Sequence, residues 1–230
     1  MKIFAISDLH LSGHTPKPMS VFGNHWEGHW DKIRSNWTER VKEEDVVLIP
    51  GDISWAMKLD EAIVDLNEIG ELPGKKIMIR GNHDYWWSSI SRVRQVVDPS
   101  IFPLQNDSIK YGGMWFCGTR GWQTPGAREY SDHDRKIFNR ELMRLELSLK
   151  SVKDEDPIVV LLHYPPFNDR GETTEFIEIM KSYRVKHVVF GHLHGESLKN
   201  VIEGHIEGMD FHLVSCDYLN FDLKEIEKIV

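Results

Sequence analysis

Seven side chains that could ligate a metal ion follow short apolar runs of this sequence. They are Asp8, His10, Asp52, Asn82, His163, His192 and His194. Imidazole nitrogen combined with carboxylate and amide oxygen suits Mn, Fe, Zn or Ni, whereas Mg and Ca prefer shells of oxygen alone. Three imidazoles and one carboxylate already complete a tetrahedral zinc site, so this set is too large for one closed structural site. It therefore predicts two divalent metal ions, with manganese favoured.

The sequence also predicts how these ligands divide between the two ions. We expect Asp8, His10 and His194 on one ion, Asn82, His163 and His192 on the other, and Asp52 between them. A carboxylate can bridge two ions about 3.5–4 Å apart, the spacing that phosphoryl chemistry uses. One residue separates Asp8 from His10, and one separates His192 from His194. An extended backbone would therefore point both members of each pair to the same side.

Such ligands need elements that bring distant segments to one place. Five short apolar runs predict buried strands at Ile3–Ile6, Val46–Ile49, Ile77–Ile79, Ile158–Leu162 and Val188–Phe190. Amphipathic stretches between them predict helices at Trp26–Val41, Met57–Ile69, Trp86–Val97, Asp132–Val152 and Glu172–Tyr183. Alternating strands and helices predict parallel strands, whose carboxyl ends share one crevice. All seven ligands directly follow a predicted strand and therefore meet at that edge.

Two further segments predict antiparallel pairs. Gly112 and Gly113 lie between Ile109–Tyr111 and Met114–Phe116, a pattern typical of a tight hairpin. A second hairpin is expected around Gly204 and Gly208, between Ser197–Ile202 and Phe211–Val214. With no repeat, linker or low-complexity tract, the chain is expected to form one domain over residues 1–230.

Composition narrows the class of protein. The 230 residues include 28 Lys and Arg against 36 Asp and Glu, a net charge of −8 with neutral histidine, which counts against broad nucleic-acid binding. Apolar runs are far shorter than the roughly 20 residues of a membrane helix, and the N-terminal run is too short for a signal peptide. Two cysteines fit a reducing compartment, so we expect a cytoplasmic protein without a membrane partner.

The order of these motifs resembles that of the calcineurin-like metallophosphoesterases. Asp8-x-His10, Gly51-Asp52, Gly81-Asn82-His83-Asp84, His163 and Gly191-His192-x-His194 occur in the family's order. The resemblance implies an α/β fold, a four-layer α/β/β/α sandwich with mixed sheets, helices on the outer faces and two metals at one end of the sheets. One departure is visible. Many members carry an arginine several residues after the second block, where this chain has Ile53-Ser54-Trp55. We interpret this as a subfamily difference in the substrate pocket.

The resemblance also implies a phosphoric ester hydrolase. Two divalent ions with ionised Asp8 and Asp52 leave the site about +2, which attracts a phosphate ester. Because metal coordination lowers the pKa of water toward ~7, a hydroxide bridging the metals is expected to attack phosphorus. The family gives His83 the role of general acid, and adjacent Asp84 could orient its ring and keep it charged.

Substrate contacts are less clearly marked. Trp55 and Trp86 follow two ligand blocks and could line the pocket, Arg120 could reach a substrate phosphate, and Tyr164 could line the cleft beside His163. For the tryptophans, packing between helix and sheet is the alternative, and for the other two a surface or packing role is. His14, His25 and His29 are expected to be solvated instead of ligating.

The expected substrate is a small-molecule phosphate ester, either a monoester or a diester. A nuclease with the same motifs is the first alternative, against which the acidic balance and the lack of a basic stripe count. A scaffold without turnover is the second, against which the complete ligand set and the presence of His83 count. The sequence assigns neither the metal pair nor the oligomeric state.

Overall fold

The strands and helices come from a computed structural model that describes residues 1–127 and 129–227. The strands are β1 Ile3–Ala5, β2 Val46–Ile49, β3 Lys75–Met78, β4 Ile101–Pro103, β5 Ile109–Tyr111, β6 Met114–Thr119, β7 Ile158–Leu162, β8 Val185–Phe190, β9 Gly204–Ile206, β10 Met209–Leu213 and β11 Lys224–Ile226. The helices are α1 His29–Arg40, α2 Leu59–Gly70, α3 Ile90–Val96, α4 Asp132–Lys150 and α5 Glu175–Lys181.

These strands form two mixed sheets. The first has the order β11-β1-β2-β3-β4, in which β11 is antiparallel and the other neighbours are parallel. The second has the order β5-β6-β7-β8-β10-β9, parallel in its centre and antiparallel at both edges. Parallel central strands of both sheets therefore present their carboxyl ends for a shared site.

Because side chains alternate along each strand, the apolar core has three parts. One lies between the two sheets, and one lies between each sheet and the helices that cover it. Ile3 and Ala5 of β1 face the second sheet, where they join Val159 and Leu161 of β7. Phe4, between them, packs outward with helices α1 and α2. On the other outer face, α4 and α5 pack against β7 and β8. The predicted four-layer α/β/β/α sandwich is confirmed, because each strand alternates between a sheet-facing and a helix-facing side.

Most elements lie where the sequence predicts them, with shifted ends. The Gly112-Gly113 hairpin forms, joining β5 to β6. The second hairpin forms between β9 and β10, whereas its predicted first arm is mostly a 3₁₀ helix at Gly195–Asn200. The helix predicted from Trp86 begins only at Ile90.

The predicted single domain, residues 1–230, includes position 128 and positions 228–230, which lie outside the described residues. Within the described part, no helix has the length and apolar character that crossing a membrane requires.

Candidate metal centre

All seven predicted ligands lie just beyond the carboxyl ends of parallel strands. The first sheet supplies the residues that follow β1, β2 and β3, which are Asp8, His10, Asp52 and Asn82. The second sheet supplies those that follow β7 and β8, which are His163, His192 and His194. The site therefore bridges the two sheets at one end of the sandwich.

The backbone is not extended at four of the seven predicted ligands, whereas His194 is extended with φ −138° and ψ 156°. Asp8, His10, Asp52 and His192 have φ of 60°, 47°, 53° and 72°. Non-glycine residues rarely adopt this left-handed conformation, and such strain concentrates at functional sites. The expectation that extended segments aim the paired ligands is therefore wrong, because sharp local turns aim them instead.

Glycines allow the ligand loops to approach one another closely. Gly51 has φ +94°, and a Cβ there would lie 2.7 Å from Cα of Gly81. At Gly81 an added Cβ would overlap the backbone nitrogen and carboxylate of Asp52. Only glycine at these two positions lets the loops after β2 and β3 pack with Asp52 between them.

Asp8, His10 and His194 form the first ligand group, with one ligand atom of each within 4.8 Å of the others. The Asp8 carboxylate is fully buried, accepts the backbone N–H of His192 at 3.1 Å and has Oδ1 3.3 Å from Nε2 of His194. Nδ1 of His194 lies 2.7 Å from Oδ1 of Asp217. A donated Nδ1–H at that position leaves Nε2 free to face the centre, the arrangement typical of a metal-bound histidine.

Asp8 also closes a second group with Asp52 and His163. Nδ1 of buried His163 lies 3.0 Å from the carbonyl oxygen of Pro50, which directs Nε2 toward the centre. That Nε2 is 2.6 Å from Oδ1 of Asn82 and 3.4 Å from Oδ2 of Asp52. Carboxylate and amide oxygens and an imidazole nitrogen thus converge here, and Asp8 belongs to both groups, whereas the predicted division assigned Asp8 to the first ion alone.

Asp52 lies between the two groups. Its Oδ2 is 3.4 Å from Nε2 of His163 and 3.9 Å from Nε2 of His10. Its Oδ1 accepts the backbone N–H of His83 at 2.8 Å, which fixes the orientation of the carboxylate. Asp52 therefore has the placement expected of the bridging ligand.

His192 borders the second group from the side. Its ring centroid is 5.1 Å from that of His163 and 3.9 Å from that of Tyr164. Tyr164 therefore lines the cleft beside both histidines, as predicted.

Burial and mutual charge determine the electrostatics of the centre. Burial lowers the pKa of His163 and of His194, but the charges of Asp52 and Asp8 outweigh this and raise the two values to about 9 and about 10. Burial raises the pKa of Asp52, but His163 outweighs this and lowers it to about 2. Burial lowers the pKa of His10 to about 4. The site therefore holds ionised carboxylates that attract cations.

The orphaned nitrogens test whether these residues fit metal ions. Nε2 of His194 is buried and has no hydrogen-bond partner among residues 1–127 and 129–227. It lies 3.3 Å from Oδ1 of buried Asp8. Buried polar atoms are almost always partnered, so an orphaned imidazole nitrogen among carboxylate and imidazole ligands fits a metal ion.

His83 lies at the rim of this centre. Its ring centroid is 5.8 Å from that of His10 and 4.7 Å from that of Trp55, which stacks on His10 at 4.7 Å. Nδ1 of His83 is buried and lacks a hydrogen-bond partner within the described chain. His83 is therefore close enough to face a bound ester without being needed as a ligand.

A sequence profile described as calcineurin-like phosphoesterase matches residues 1–196 of this chain. The chain belongs to the calcineurin-like phosphoesterase family. The match includes every predicted ligand, and membership supports a phosphoesterase, which is a hydrolase. Members of this family typically use a dinuclear metal site, in agreement with the two ligand groups. No curated protein matches the sequence.

Two solved structures share this fold over almost their whole length. Phosphopantetheinyl hydrolase (PptH) from Mycobacterium tuberculosis has a TM-score of 0.60 at 14% identity, covering 98% of this chain and 95% of that chain. The protein of unknown function AQ665 from Aquifex aeolicus has a TM-score of 0.51 at 15% identity, covering 97% and 95%. At these identities the likeness shows the phosphoesterase fold alone.

Asp84 does not orient His83, which corrects the role expected for it. Its oxygens accept five N–H groups, from the backbone of Asp52, Ile53, Ser54 and Gly81 and from the indole of Trp86. Burial and the charge of Asp52 raise its pKa to about 6 against these donors. Asp84 is thus a buried positioning residue that ties together the loops after β2 and β3.

Two of the four predicted substrate contacts lie elsewhere. Trp86 is 1% exposed and packs in the core between the first sheet and its helices, so the packing alternative is confirmed. The Arg120 guanidinium lies 3.6 Å from the buried Glu141 carboxylate and 4.3 Å from the ring of Trp122, so its partners are side chains of the protein, as the packing alternative expects. Trp55 and Tyr164 border the ligand groups.

Residues outside the predicted set also shape the centre. His29 is half-buried, with Nε2 2.9 Å from the carbonyl oxygen of Leu9, whereas His14 and His25 are solvated as predicted. Asp217 was missed because it follows β10 without a recognisable motif. The signal that could have found it is that it, too, directly follows a strand rich in apolar residues.

Proposed function

We propose that this chain is a cytoplasmic, dinuclear metal-dependent phosphoesterase that hydrolyses small phosphomonoesters or phosphodiesters, with manganese as the favoured metal and His83 as general acid. The cytoplasmic location is supported by two buried free cysteines, which suit a reducing compartment.

The observation that carries the proposal is the placement of Asp52. One of its oxygens faces an imidazole from each ligand group, at 3.4 Å and 3.9 Å. A buried carboxylate needs positive charge beside it. Two divalent ions held by Asp52 and the ligands of both groups would supply that charge.

Two divalent ions bound here would activate water and polarise the phosphoryl oxygens. The chain itself supplies the orientation of the ligands. Asp217 and the Pro50 carbonyl accept Nδ1–H of His194 and His163, so that both histidines present Nε2. Buried Asp84 holds the backbone of Asp52 in place.

His83 would hold a proton at a ring nitrogen for the leaving oxygen. Its backbone is fixed by Asp52 at 2.8 Å, and its ring packs against Trp55. Because proton donation by a positioned side chain contributes about 10²–10⁴-fold, this residue offers a measurable share of catalysis.

Metal analysis together with a manganese-supplemented substrate panel tests the proposal. The panel compares nitrophenyl mono- and diesters, cyclic nucleotides, dinucleoside polyphosphates, phosphopantetheine esters and single-stranded DNA. We expect two ions per chain and turnover of small esters, both reduced in Asp52→Asn. Activity on DNA alone would indicate a nuclease, and two bound ions without any turnover would indicate a scaffold. One ion per chain, unchanged in Asp52→Asn, would contradict a shared bridging ligand.

A further inference from the structure

A cavity of about 960 Å³ opens beside the metal centre. Tyr164 and His192 form its boundary with the ligands, and it continues away from them to Asn200 and Ile202. Pockets for small organic ligands span about 300–1,000 Å³, so this volume far exceeds what a phosphoryl group needs. The space must serve another part of a bound molecule.

The walls of the cavity are fixed by their own hydrogen bonds. In the wall at residues 167–173, Oδ1 of Asn168 accepts the backbone N–H of Arg170 at 3.0 Å and of Glu172 at 2.9 Å. Elsewhere in the lining, the indole of Trp122 donates to Asp134 at 3.0 Å. Because these walls are already ordered, a ligand binds without the entropic cost of ordering them.

The lining combines apolar surface with few charges. Trp122, Tyr164, Phe167, Leu193 and Ile202 provide aromatic and aliphatic contact. Among the described lining residues, the ionised side chains are those of Glu129, Asp169 and Arg170, which sum to −1. This surface favours a mainly uncharged group with a substantial apolar part.

We propose that this cavity receives the leaving group of the ester. Resting on the proposed function, this inference names the substrate class as a phosphate ester of a bulky, mainly uncharged organic alcohol. The phosphoryl group lies at the metal ligands, while the leaving group passes Tyr164 and fills the cavity. A bulky leaving group then contributes binding that a small ester lacks.

A matched pair of substrates tests this assignment. Both are 4-nitrophenyl phosphates with an amide on the ring, one carrying an N-methyl and the other an N-octyl group, so that leaving-group acidity is the same. We expect kcat/KM to be at least about tenfold higher for the octyl ester, because binding grows with the apolar area removed from water.

Two substitutions in the same 3₁₀ helix locate the effect. Exposed Asn200 lines the cavity, and Asn200→Trp should abolish the preference for the octyl ester. Lys199, its exposed neighbour, pairs with Glu196 and lies outside the lining, so Lys199→Trp should retain the preference.

The outcomes separate the two claims. Equal kcat/KM for both esters in the unmodified chain, or a preference that survives Asn200→Trp, would overturn the leaving-group assignment alone. If the metal-loaded protein hydrolysed neither of these esters and no member of the panel above, the proposed function would be overturned, and the leaving-group assignment with it.

Discussion

At the scale of single residues, the two oxygens of Asp52 have separate partners. Oδ2 faces Nε2 of His163 and Nε2 of His10, while Oδ1 accepts the backbone N–H of His83 at 2.8 Å. The proposed general acid is thus attached to the proposed bridging ligand through one hydrogen bond. Charge at the centre and the position of the acid are fixed by the same side chain.

Replacement of His83 by alanine should separate chemistry from metal binding. We expect His83→Ala to lower kcat by about 10²–10⁴-fold, because the leaving oxygen loses its proton donor. Metal content should be unchanged, since the backbone N–H that holds Asp52 remains. The loss should be smaller for a nitrophenyl ester, whose leaving group needs little protonation, than for an alkyl ester. Equal kcat in both proteins would contradict this role, and solvent-exposed His14→Ala is the control.

Asp217 should control metal affinity through His194. In Asp217→Ala the imidazole loses the acceptor of its Nδ1–H, and we expect manganese to bind about 10–100-fold more weakly, as for other outer partners of metal-bound histidines. Isothermal titration provides the measurement.

The chain offers a matched control for that variant. His205 and Asp210 form an exposed pair with the same 2.7 Å separation, away from the centre. Asp210→Ala should leave manganese affinity unchanged. Equal weakening in the two variants would show that the effect of Asp217 is not specific to its histidine.

At the scale of elements, Asp84 joins two βα loops that the sequence places far apart. Donors from residues 52–54 and from residues 81 and 86 meet on one carboxylate. These two loops carry Asp52 and Asn82, one ligand from each. The relative position of two predicted ligands therefore depends on a side chain that is not itself a predicted ligand.

Asp84→Ala should destabilise the fold and empty the site together. Five buried N–H groups lose their acceptor, and at about 1–3 kcal/mol for each unsatisfied group the free energy of unfolding should fall by at least about 3 kcal/mol. Denaturant unfolding and metal analysis measure both effects. The neighbouring variant His83→Ala should show neither. If Asp84→Ala kept full stability and two ions, its assignment as a positioning residue would be wrong.

Comparison of predicted and observed elements shows where the sequence pattern is sufficient to predict the ends of a strand or helix. The bounds of Val46–Ile49 and Ile158–Leu162 were predicted correctly, because both runs are apolar on both faces and end at a proline or a polar ligand. The helix expected from Trp86 begins at Ile90, because Trp86 and Trp87 pack into the core from a turn. Local periodicity cannot distinguish tryptophans buried from a helix from tryptophans buried from the segment that precedes the helix.

The same distinction applies to the site. The predicted ligands could be chosen from their residue type and from their position after a predicted strand. Both can be determined from the local sequence. The roles of Asp84, Asp217 and Arg120 depend on which distant groups approach them, through contacts such as those between residues 84 and 52 or 120 and 141. Those approaches are set by the packing of whole loops and could not be predicted from spacing.

At the scale of the whole molecule, the ligand set joins the two sheets. The first sheet supplies Asp8 and Asp52 among its ligands, and the second supplies all three of the later histidines. Ions bound between them would therefore stabilise the packing of one sheet against the other. A ligand that binds only the folded state at 100 times its Kd adds about 2.7 kcal/mol to stability, so loading should be visible in Tm.

This gain in Tm on metal loading should increase with pH. In protein treated with a chelator, Asp8 and Asp52 stabilise the protonated forms of His163 and His194, whose pKa values are raised from 6.5 to about 9 and about 10. A raised pKa in the folded state stabilises the fold fully below pH 6.5, and the contribution is lost as pH rises toward those values. Metal ligation instead requires neutral imidazoles, so loading becomes easier over the same range.

We therefore expect the Tm of the chelator-treated protein to fall between pH 6.5 and 8.5, and the difference from the manganese-loaded protein to widen. The difference is the proper measure because other titrating groups contribute to both forms. Lys76 is one of them, since burial lowers its pKa to about 8 and it lies far along β3 from the ligands. Differential scanning fluorimetry at constant ionic strength gives both curves. A difference that stayed constant or narrowed with pH would contradict proton–metal competition at His163 and His194, because the buried carboxylates Asp8 and Asp52 hold a proton on these two proposed ligands.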